Sequence, residues 1–277
     1  MPGAPTPTVG LEAVGVRPAR LDSGGVEQPA PSPTETWDEF FGEFYLRAYR
    51  EAERNAEAEA QALAAAKLAG CPPGGDLLDV PCGFGRHALP LAAQGFRVVG
   101  VDRAQALLDE AGRRRGHERW PKFVRADYRD LPMADESFDT ALNLFSSLGY
   151  LGDEEDTRAL GEIRRVLKPG ARLVLEIMPR DLLVERFHER NWMAVGDGRL
   201  LLEQRAFDVA GGIAQVTQTL IEPDGARESM TYSLRVYATT ELLAMARAAG
   251  FAEVRAYGDF EGGPASLGTR LVVAASA

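Results

Sequence analysis

The sequence is poor in the residues that build metal centres and disulfide frameworks. Its 277 residues include only two cysteines, Cys71 and Cys82, and three histidines, His87, His117 and His188. These residues do not have the spacing of a zinc site, and two cysteines are too few for a disulfide-rich domain of this length. We therefore expect neither a metal centre nor a fold held by disulfides.

Positive charge and long apolar runs are also scarce. The chain has 31 Lys and Arg against 41 Asp and Glu, a formal net charge of −10. Proteins that bind nucleic acid neutralise its phosphates with Lys and Arg, so this charge disfavours nucleic acid as a ligand. No stretch approaches the roughly 18 apolar residues of a membrane span, and the N-terminus lacks the basic and apolar segments of a signal peptide. These absences predict a cytoplasmic protein that binds neither nucleic acid nor membrane.

The N-terminal part of the chain differs from the rest in composition. Residues 1–34 hold seven of the 17 prolines and show no apolar periodicity, which predicts a disordered tail ahead of a domain over 35–277. The domain begins with aromatic residues at every fourth position, namely Trp37, Phe41, Tyr45 and Tyr49. This period predicts an aromatic stripe along one helix, and an Ala-rich and Glu-rich helix follows over 51–69.

Short apolar runs then alternate with amphipathic stretches. The predicted strands are 76–80, 97–101, 122–125, 138–144, 171–177, 252–258 and 270–275. The predicted helices between them are 85–94, 103–115, 153–167 and 240–249, the last capped by Thr240. Strands separated by helices of this length form right-handed βαβ units, which predicts an α/β fold around a mostly parallel sheet.

A different pattern follows the fifth strand. Within 181–237, three strand-like segments are separated by glycine-containing turns, which predicts a three-stranded antiparallel insert. These segments are 199–209, 213–222 and 226–237. One face of the insert is predicted to be apolar, because the alternating residues are Met230, Tyr232, Leu234 and Val236. We expect that face to help bind a ligand or to form a homodimer interface.

An acidic residue ends each of the first three predicted strands. Asp79, Asp102 and Asp127 lie 23 and 25 residues apart. Ligands of open parallel sheets bind in the crevice outside the carboxyl ends of the strands, so these carboxylates are expected to face one ligand. The turn after the first strand contains Gly83 and Gly85, which let the backbone approach that ligand closely.

This glycine-rich turn fits two kinds of cofactor. Residues 83–88 match the dinucleotide fingerprint G-x-G-x-x-G/A, with Asp102 near the position of a ribose-binding acid. A pyrophosphate beside Asp79 would meet a carboxylate, and like charges about 4 Å apart repel by roughly 4 kcal/mol at an effective dielectric near 20. S-adenosylmethionine (SAM) carries a sulfonium and an ammonium but no phosphate. The acidic lining therefore favours SAM over NAD.

Several ordered segments carry a family resemblance. Residues 77–85 read Leu-Leu-Asp-Val-Pro-Cys-Gly-Phe-Gly, and further segments lie at 101–102, 126–128, 138–150 and 167–170. Together they resemble the motifs of the class I SAM-dependent methyltransferases, whose motif I is D-x-G-x-G-x-G. The sequence departs from that motif at Pro81, where proline removes a backbone donor and leaves only a carbonyl for a ligand.

The resemblance implies a Rossmann-like, seven-stranded sheet whose last strand is antiparallel, with SAM as the cofactor. By the same resemblance, Asp79 and the backbone of Pro81, Gly83 and Gly85 hold the methionine part of SAM. This is the part of the cofactor that carries the ammonium and the carboxylate.

The resemblance also implies how the rest of the cofactor is held. Asp102 accepts hydrogen bonds from the ribose hydroxyls, and Arg103 flanks the adenine. Asp127 binds the adenine amino group and Tyr128 covers the ring.

The reacting end of the cofactor is implied by residues at the end of the fourth strand. Leu144 and Phe145 face the sulfonium, and Tyr45 lies on a helix that covers the cofactor. The segment 145–150 and the insert are similar to those of amino-sugar N-methyltransferases, which implies a small-molecule acceptor.

The acceptor site is predicted less sharply. The candidate contacts are Tyr49, Tyr150, His188 and Trp192. No catalytic triad or carboxylate pair stands out, so His188 and Glu176 are the candidate bases. We expect an enzyme that aligns an N or O acceptor with the cofactor for in-line methyl transfer. The alternatives are an NAD-dependent oxidoreductase and a SAM-binding scaffold without catalysis.

Overall fold

The computed structural model describes residues 40–50 and 55–277. The predicted tail over 1–34, the predicted domain start at 35 and Trp37 lie outside these ranges. Within them, no helix combines the length and the apolar composition needed to span a bilayer.

The described chain contains helices and strands in the alternating order expected of an α/β fold. The strands are β1 (Asp76–Asp79), β2 (Arg97–Asp102), β3 (Lys122–Arg125), β4 (Phe138–Asn143), β5 (Leu167–Ile177), β6 (Arg190–Ala194), β7 (Leu200–Asp208), β8 (Ile213–Ile221), β9 (Arg227–Arg235), β10 (Val254–Tyr257) and β11 (Leu271–Ser276). A kinked helical turn, Phe40–Phe44, precedes α1 (Tyr45–Tyr49), and the other helices are α2 (Asn55–Ala69), α3 (Ala88–Ala93), α4 (Gln105–Arg115), α5 (Asp153–Val166), α6 (Arg180–Glu185) and α7 (Thr239–Ala248).

Seven strands form one sheet in the order β3-β2-β1-β4-β5-β11-β10. The first five are parallel to their neighbours, whereas β11 runs antiparallel to both β5 and β10. This topology confirms the predicted Rossmann-like sheet with an antiparallel last strand. Chain order reverses between β1 and β4, and such a switch point opens a ligand crevice at the carboxyl ends of the strands.

The sheet is buried between two layers of helices. On one face, Leu160 and Ile163 of α5 and Leu242 of α7 pack into a core with the sheet. On the other face, α2 and α3 contribute a second core that includes Ala65 and Leu91. Helix α5 also has four acidic residues in its first turn and two arginines in its last turn, which match the charges of the helix dipole.

The insert after β5 is a separate antiparallel sheet of four strands, β6-β7-β8-β9, so the prediction of three strands is wrong. The missed strand is β6, whose residues Arg190, Asn191 and Trp192 are all exposed. A short edge strand of this kind has no apolar alternation to reveal it.

The start of α7 also differs from the prediction. The helix begins at Thr239, one residue before the predicted cap Thr240, and Ala238 occupies the N-cap position. The Glu241 carboxylate accepts the Ala238 backbone N–H at 2.8 Å, so a side chain inside the helix caps this end.

The apolar face of the insert is turned inward. Met230 and Tyr232 pack in a cluster with Phe40 and Phe44, which precede α1, and with Leu220 of β8. This face therefore lies against the chain's own N-terminal aromatic residues. A dimer formed by the insert would need to use the opposite face.

Candidate functional site

A cavity of about 440 Å³ lies at the carboxyl ends of the parallel strands. Its walls are the turn after β1, the ends of β2, β3 and β4, the aromatic residues around α1, and the inner face of the insert. This volume is within the usual range for small-molecule and cofactor sites. The predicted site residues that line it are Tyr45, Tyr49, Pro81, Gly83, Asp102, Arg103, Asp127, Tyr128, Leu144, Phe145 and Tyr150.

The turn after β1 contains two glycines with different surroundings. Gly83 and Gly85 have φ of +53° and +79°, a left-handed conformation that favours glycine. A Cβ on Gly83 would meet nothing within 4 Å, whereas a Cβ on Gly85 would lie 3.0 Å from the Phe123 ring. Gly85 does not line the cavity. It lets the turn pack closely against Phe123 of β3. Its contact with the cofactor stays a prediction.

Asp79 lies behind this turn. It is 1% exposed and does not line the cavity, and its contact with the cofactor stays a prediction. Within the described chain neither carboxyl oxygen makes a hydrogen bond of good geometry, although the backbone N–H of Ala88 is near enough to lower the pKa of Asp79. Burial, and then the nearby Asp102 charge, raise the pKa of Asp79 to about 8. The end of β1 therefore holds an acid that would be stabilised in its charged form by a nearby cation.

Asp102 links the two backbone turns that face the cavity. Its Oδ2 accepts the Gly83 N–H and its Oδ1 accepts the Ala104 N–H, each at 2.8 Å. Burial raises the pKa of Asp102, and these backbone hydrogen bonds oppose that effect. Each carboxylate oxygen has a second lone pair, so Asp102 can still accept hydrogen bonds from a ligand.

Asp127 is held by an arginine at the end of β3. Its Oδ1 accepts Nε of Arg129 at 3.0 Å, and its Oδ2 accepts Nη2 at 2.6 Å. Arg129 also binds Glu155 at 2.8 Å. This pairing lowers the pKa of Asp127, so the carboxylate stays charged and fixed in orientation at the cavity wall.

The segment after β4 has an unusual backbone. Phe145 and Ser146 have φ of +65° and +56°, and such left-handed residues cost strain when they are not glycine. Glu176 holds this backbone, because its carboxylate accepts the Phe145 N–H at 2.8 Å and its carbonyl accepts the Ser146 N–H at 3.0 Å. Glu176 also binds Arg270 and is absent from the cavity lining. The structure thus assigns it a positioning role and not the predicted role of a base.

Aromatic rings form the wall of the cavity opposite the sheet. The Phe41 and Tyr150 ring centroids are 5.2 Å apart, those of Tyr45 and Tyr49 are 4.6 Å apart, and those of Tyr150 and Tyr232 are 6.0 Å apart. Burial raises the pKa of both Tyr49 and Tyr150. Their hydroxyls therefore remain protonated at neutral pH and can donate hydrogen bonds.

The structure corrects the prediction that His188 and Trp192 contact the acceptor. Both side chains are exposed and neither lines the cavity; Trp192 is 68% exposed to solvent. Successive residues of a strand point to opposite faces, so it is Met193, next to Trp192 on β6, that lines the cavity. His188 is equally misplaced as a base.

Some cavity residues were missed by the sequence interpretation. They include Phe40, Arg86, His87, Ser146, Met193, Arg205, Tyr232 and Arg270. The sequence does indicate Tyr232, because it belongs to the apolar face predicted for the insert. No local sequence pattern indicates Arg205 or Arg270. Their positions at the cavity depend on how β7 and β11 pair with neighbouring antiparallel strands.

Comparison with known proteins identifies the part of the chain that carries these motifs. Residues 77–170 match a family model described as a methyltransferase domain. This part of the chain is similar to a methyltransferase domain. The glycine-rich turn, Asp79, Asp102 and Asp127 all lie within the matched segment.

Curated relatives match less than half of the chain. Demethylmenaquinone methyltransferase of Clavibacter sepedonicus is 43% identical over 101 residues, which are 36% of this chain and 39% of that protein. The 2-phytyl-1,4-naphtoquinone methyltransferase of Synechococcus elongatus is 39% identical over 124 residues, which are 42% of this chain and 51% of that protein. The chain therefore spans about half or less of the length of these relatives.

Solved structures resemble the methyltransferase domain together with the insert. The CcbJ methyltransferase from Streptomyces caelestis has a TM-score of 0.72 at 23% identity, over 85% of this chain and 96% of that chain. CalS10 from Micromonospora echinaspora, an amino pentose methyltransferase with SAM bound, has a TM-score of 0.63 at 25% identity, over 85% and 97%. The fold of these proteins is the fold found here.

Proposed function

We propose that the protein is a SAM-dependent methyltransferase that transfers a methyl group to a small-molecule acceptor. The observation that carries this proposal is the cavity at the carboxyl ends of β1 to β4, where buried acids face an aromatic wall. It lies within and beside the segment that matches a methyltransferase domain.

The charge of the site supports SAM as the cofactor. Asp79 is a buried acid without a hydrogen bond of good geometry in the described chain, and its neighbour Asp102 is buried as well. A cation near these two groups favours the charged form of Asp79, whereas a pyrophosphate disfavours it. The family match and the structural neighbours are methyltransferases, so nothing favours the alternative of an NAD-dependent oxidoreductase.

The cavity residues have separate tasks in this proposal. Asp102 would bind the ribose, Arg103, Asp127 and Tyr128 would hold the adenine, and the turn at Gly83 would receive the methionine part. When bound, SAM supplies a methyl group on a sulfonium, which is already a strong electrophile. The protein contributes by excluding water and by aligning the acceptor, and such positioning is a large source of rate enhancement.

The described residues around the cavity are poor bases at neutral pH. Burial lowers the pKa of His87 to about 3, and Arg129 lowers the pKa of Asp127. A general base works best when its pKa is near the working pH. This favours an acceptor atom that arrives with its lone pair free, such as the nitrogen of a neutral amine, and an oxygen acceptor would need to be acidic on its own.

The size of the site supports a small acceptor. A cavity of about 440 Å³ has the size of a small-molecule site. CalS10 is described as acting on an amino pentose, and the curated relatives are named for quinone substrates. A cytoplasmic location and a homodimer remain predictions from the sequence.

Transfer of labelled methyl from SAM to a low-mass fraction of a cell extract tests the proposed function. We expect label in small molecules with the wild-type protein and little with Asp102→Ala, while Asp109→Ala on the outside of α4 serves as the control. If SAM binds but no component is ever labelled, the protein is a SAM-binding scaffold. If SAM does not bind, the proposal fails.

A further inference from the structure

A buried polar network lies on the insert side of the cavity. Glu203 of β7 and Gln218 of β8 are 5% and 0% exposed, and their neighbours on this face include the apolar residues Leu201 and Leu220. Buried polar groups in apolar surroundings are costly unless they are hydrogen-bonded. We therefore expect the polar atoms of these two side chains to hydrogen-bond to neighbouring residues.

The hydrogen positions in the network follow from Glu203. Its Oε1 lies 2.8 Å from Nε2 of Gln218, and because a carboxylate only accepts, this amide atom must be the nitrogen. The same nitrogen donates its second hydrogen to the Tyr49 hydroxyl oxygen. The Tyr49 oxygen is thus an acceptor in this contact, and its own hydrogen is left to donate elsewhere. Within residues 40–50 and 55–277, Gln218 is the hydrogen-bond partner recorded for this hydroxyl.

Arg205 presents the second donor. It lines the cavity, and its Nη2 binds the Glu203 carboxylate. In the described part of the chain, Nε and Nη1 of Arg205 have no recorded hydrogen bond, so these N–H groups remain for a ligand. The charges of Arg205 and Glu203 also act on Tyr49, which places the three groups close together. Tyr49 and Arg205 therefore give this part of the cavity an O–H donor and N–H donors.

We infer that Tyr49 and Arg205 form a subsite for an anionic oxygen group of the acceptor, a carboxylate or a phosphate. The inference rests on the proposed function, because it treats the insert side of the cavity as the acceptor side. An N–H group of Arg205 that is not bound to Glu203 can donate a charge-assisted hydrogen bond to such a group, and the Tyr49 hydroxyl adds a second donor. Glu203 neutralises the charge of Arg205, so recognition depends on hydrogen-bond geometry more than on net charge. Glu203 and Gln218 are positioning residues.

Small aromatic acids test this subsite without knowledge of the natural acceptor. The probes are benzoate and phenyl phosphate, with benzamide as the neutral match, titrated into the protein saturated with S-adenosylhomocysteine and followed by NMR line broadening. We expect wild type to bind at least one acid roughly tenfold more tightly than benzamide, since charge-assisted hydrogen bonds are about twice as strong as neutral ones. The acid that shows the preference distinguishes carboxylate from phosphate.

Variants assign the preference to the two donors. Arg205→Met is expected to remove it, Tyr49→Phe to reduce it a few-fold, and Arg205→Lys, which keeps the charge, to retain part of it. Arg227→Gln removes a positive charge from an exposed position of β9 in the same insert and is expected to leave all probe affinities unchanged. Circular dichroism and S-adenosylhomocysteine binding check that each variant is folded.

The outcomes separate this inference from the proposed function. Equal affinity of wild type for acids and benzamide, no acid binding up to about 10 mM, or a preference that survives in folded Arg205→Met would overturn the subsite. Failure of S-adenosylhomocysteine to bind would instead count against the methyltransferase proposal, and the acid titrations would then be run on the protein alone.

Discussion

Replacing Asp79 with asparagine tests whether the buried acid at the end of β1 stays protonated in the folded protein. Burial and the charge of Asp102 raise the pKa of Asp79 from its ordinary value of 3.8 to about 8. Between these values the folded protein keeps a proton that the unfolded chain has released. Stability therefore falls as pH rises through this window, by about 1.4 kcal/mol per pH unit for one such group.

Asparagine has nearly the same shape and does not ionise, so Asp79→Asn is expected to remove this slope. Summed from 3.8 to about 8, the cost of ionising Asp79 in the folded state is on the order of 5 kcal/mol. Urea unfolding at about pH 5, 6 and 7 measures it. The difference in free energy of unfolding between the variant and wild type should increase, in favour of the variant, by about 1.4 kcal/mol per pH unit.

A neighbouring acid provides the control for this experiment. Arg97 lowers the pKa of Asp76, at the start of the same strand, so Asp76 is already charged in both folded and unfolded chains above about pH 5. The effect of Asp76→Asn on stability should therefore stay constant over the same range. If the Asp79→Asn difference is equally constant, Asp79 is not a neutral buried acid and the reasoning about its environment is wrong.

Other perturbations test the rest of the site. SAM affinity should rise with pH through about 8, the pKa of Asp79, because a cation favours its charged form, and calorimetry that finds no such rise would place the cation elsewhere. Asp102→Ala should weaken SAM binding by roughly 1–3 kcal/mol through lost charge-assisted hydrogen bonds, with Asp109→Ala unchanged. Glu176→Ala should destabilise the fold by roughly 1–3 kcal/mol, as expected when the Phe145 N–H loses its acceptor, and should lower turnover without moving its pH profile; a shifted profile would restore Glu176 as a base. Gly85→Ala should lower stability by roughly 1–3 kcal/mol, since it forces a side chain into a left-handed position against Phe123; an unchanged unfolding midpoint would refute the packing role.

The sheet and the cofactor side of the cavity were predictable because they depend on local signals. Strands of the parallel sheet are apolar runs with helices between them, and their carboxyl ends meet at one edge whatever the details of packing. The spacing of Asp79, Asp102 and Asp127 therefore located the crevice. What it did not reveal is the direction of each side chain, which is why Asp79 was expected in the cavity wall and lies behind it.

The acceptor side depends on contacts between distant parts of the chain. Arg205 reaches the cavity because β7 pairs with β8 in a register that turns its odd-numbered residues inward, and no local pattern states that register. The same alternation puts Met193 inside and Trp192 outside. Glu176 was correctly expected at the end of β5, but its partners Phe145 and Arg270 lie just after β4 and just before β11.

The cofactor side of the cavity is proposed to receive a cationic nucleoside and not a phosphate-bearing one. Titration calorimetry of the wild-type protein with SAM and with NAD, under identical conditions, tests it directly. We expect saturable heat with SAM and none with NAD. Heat with NAD and none with SAM would contradict it.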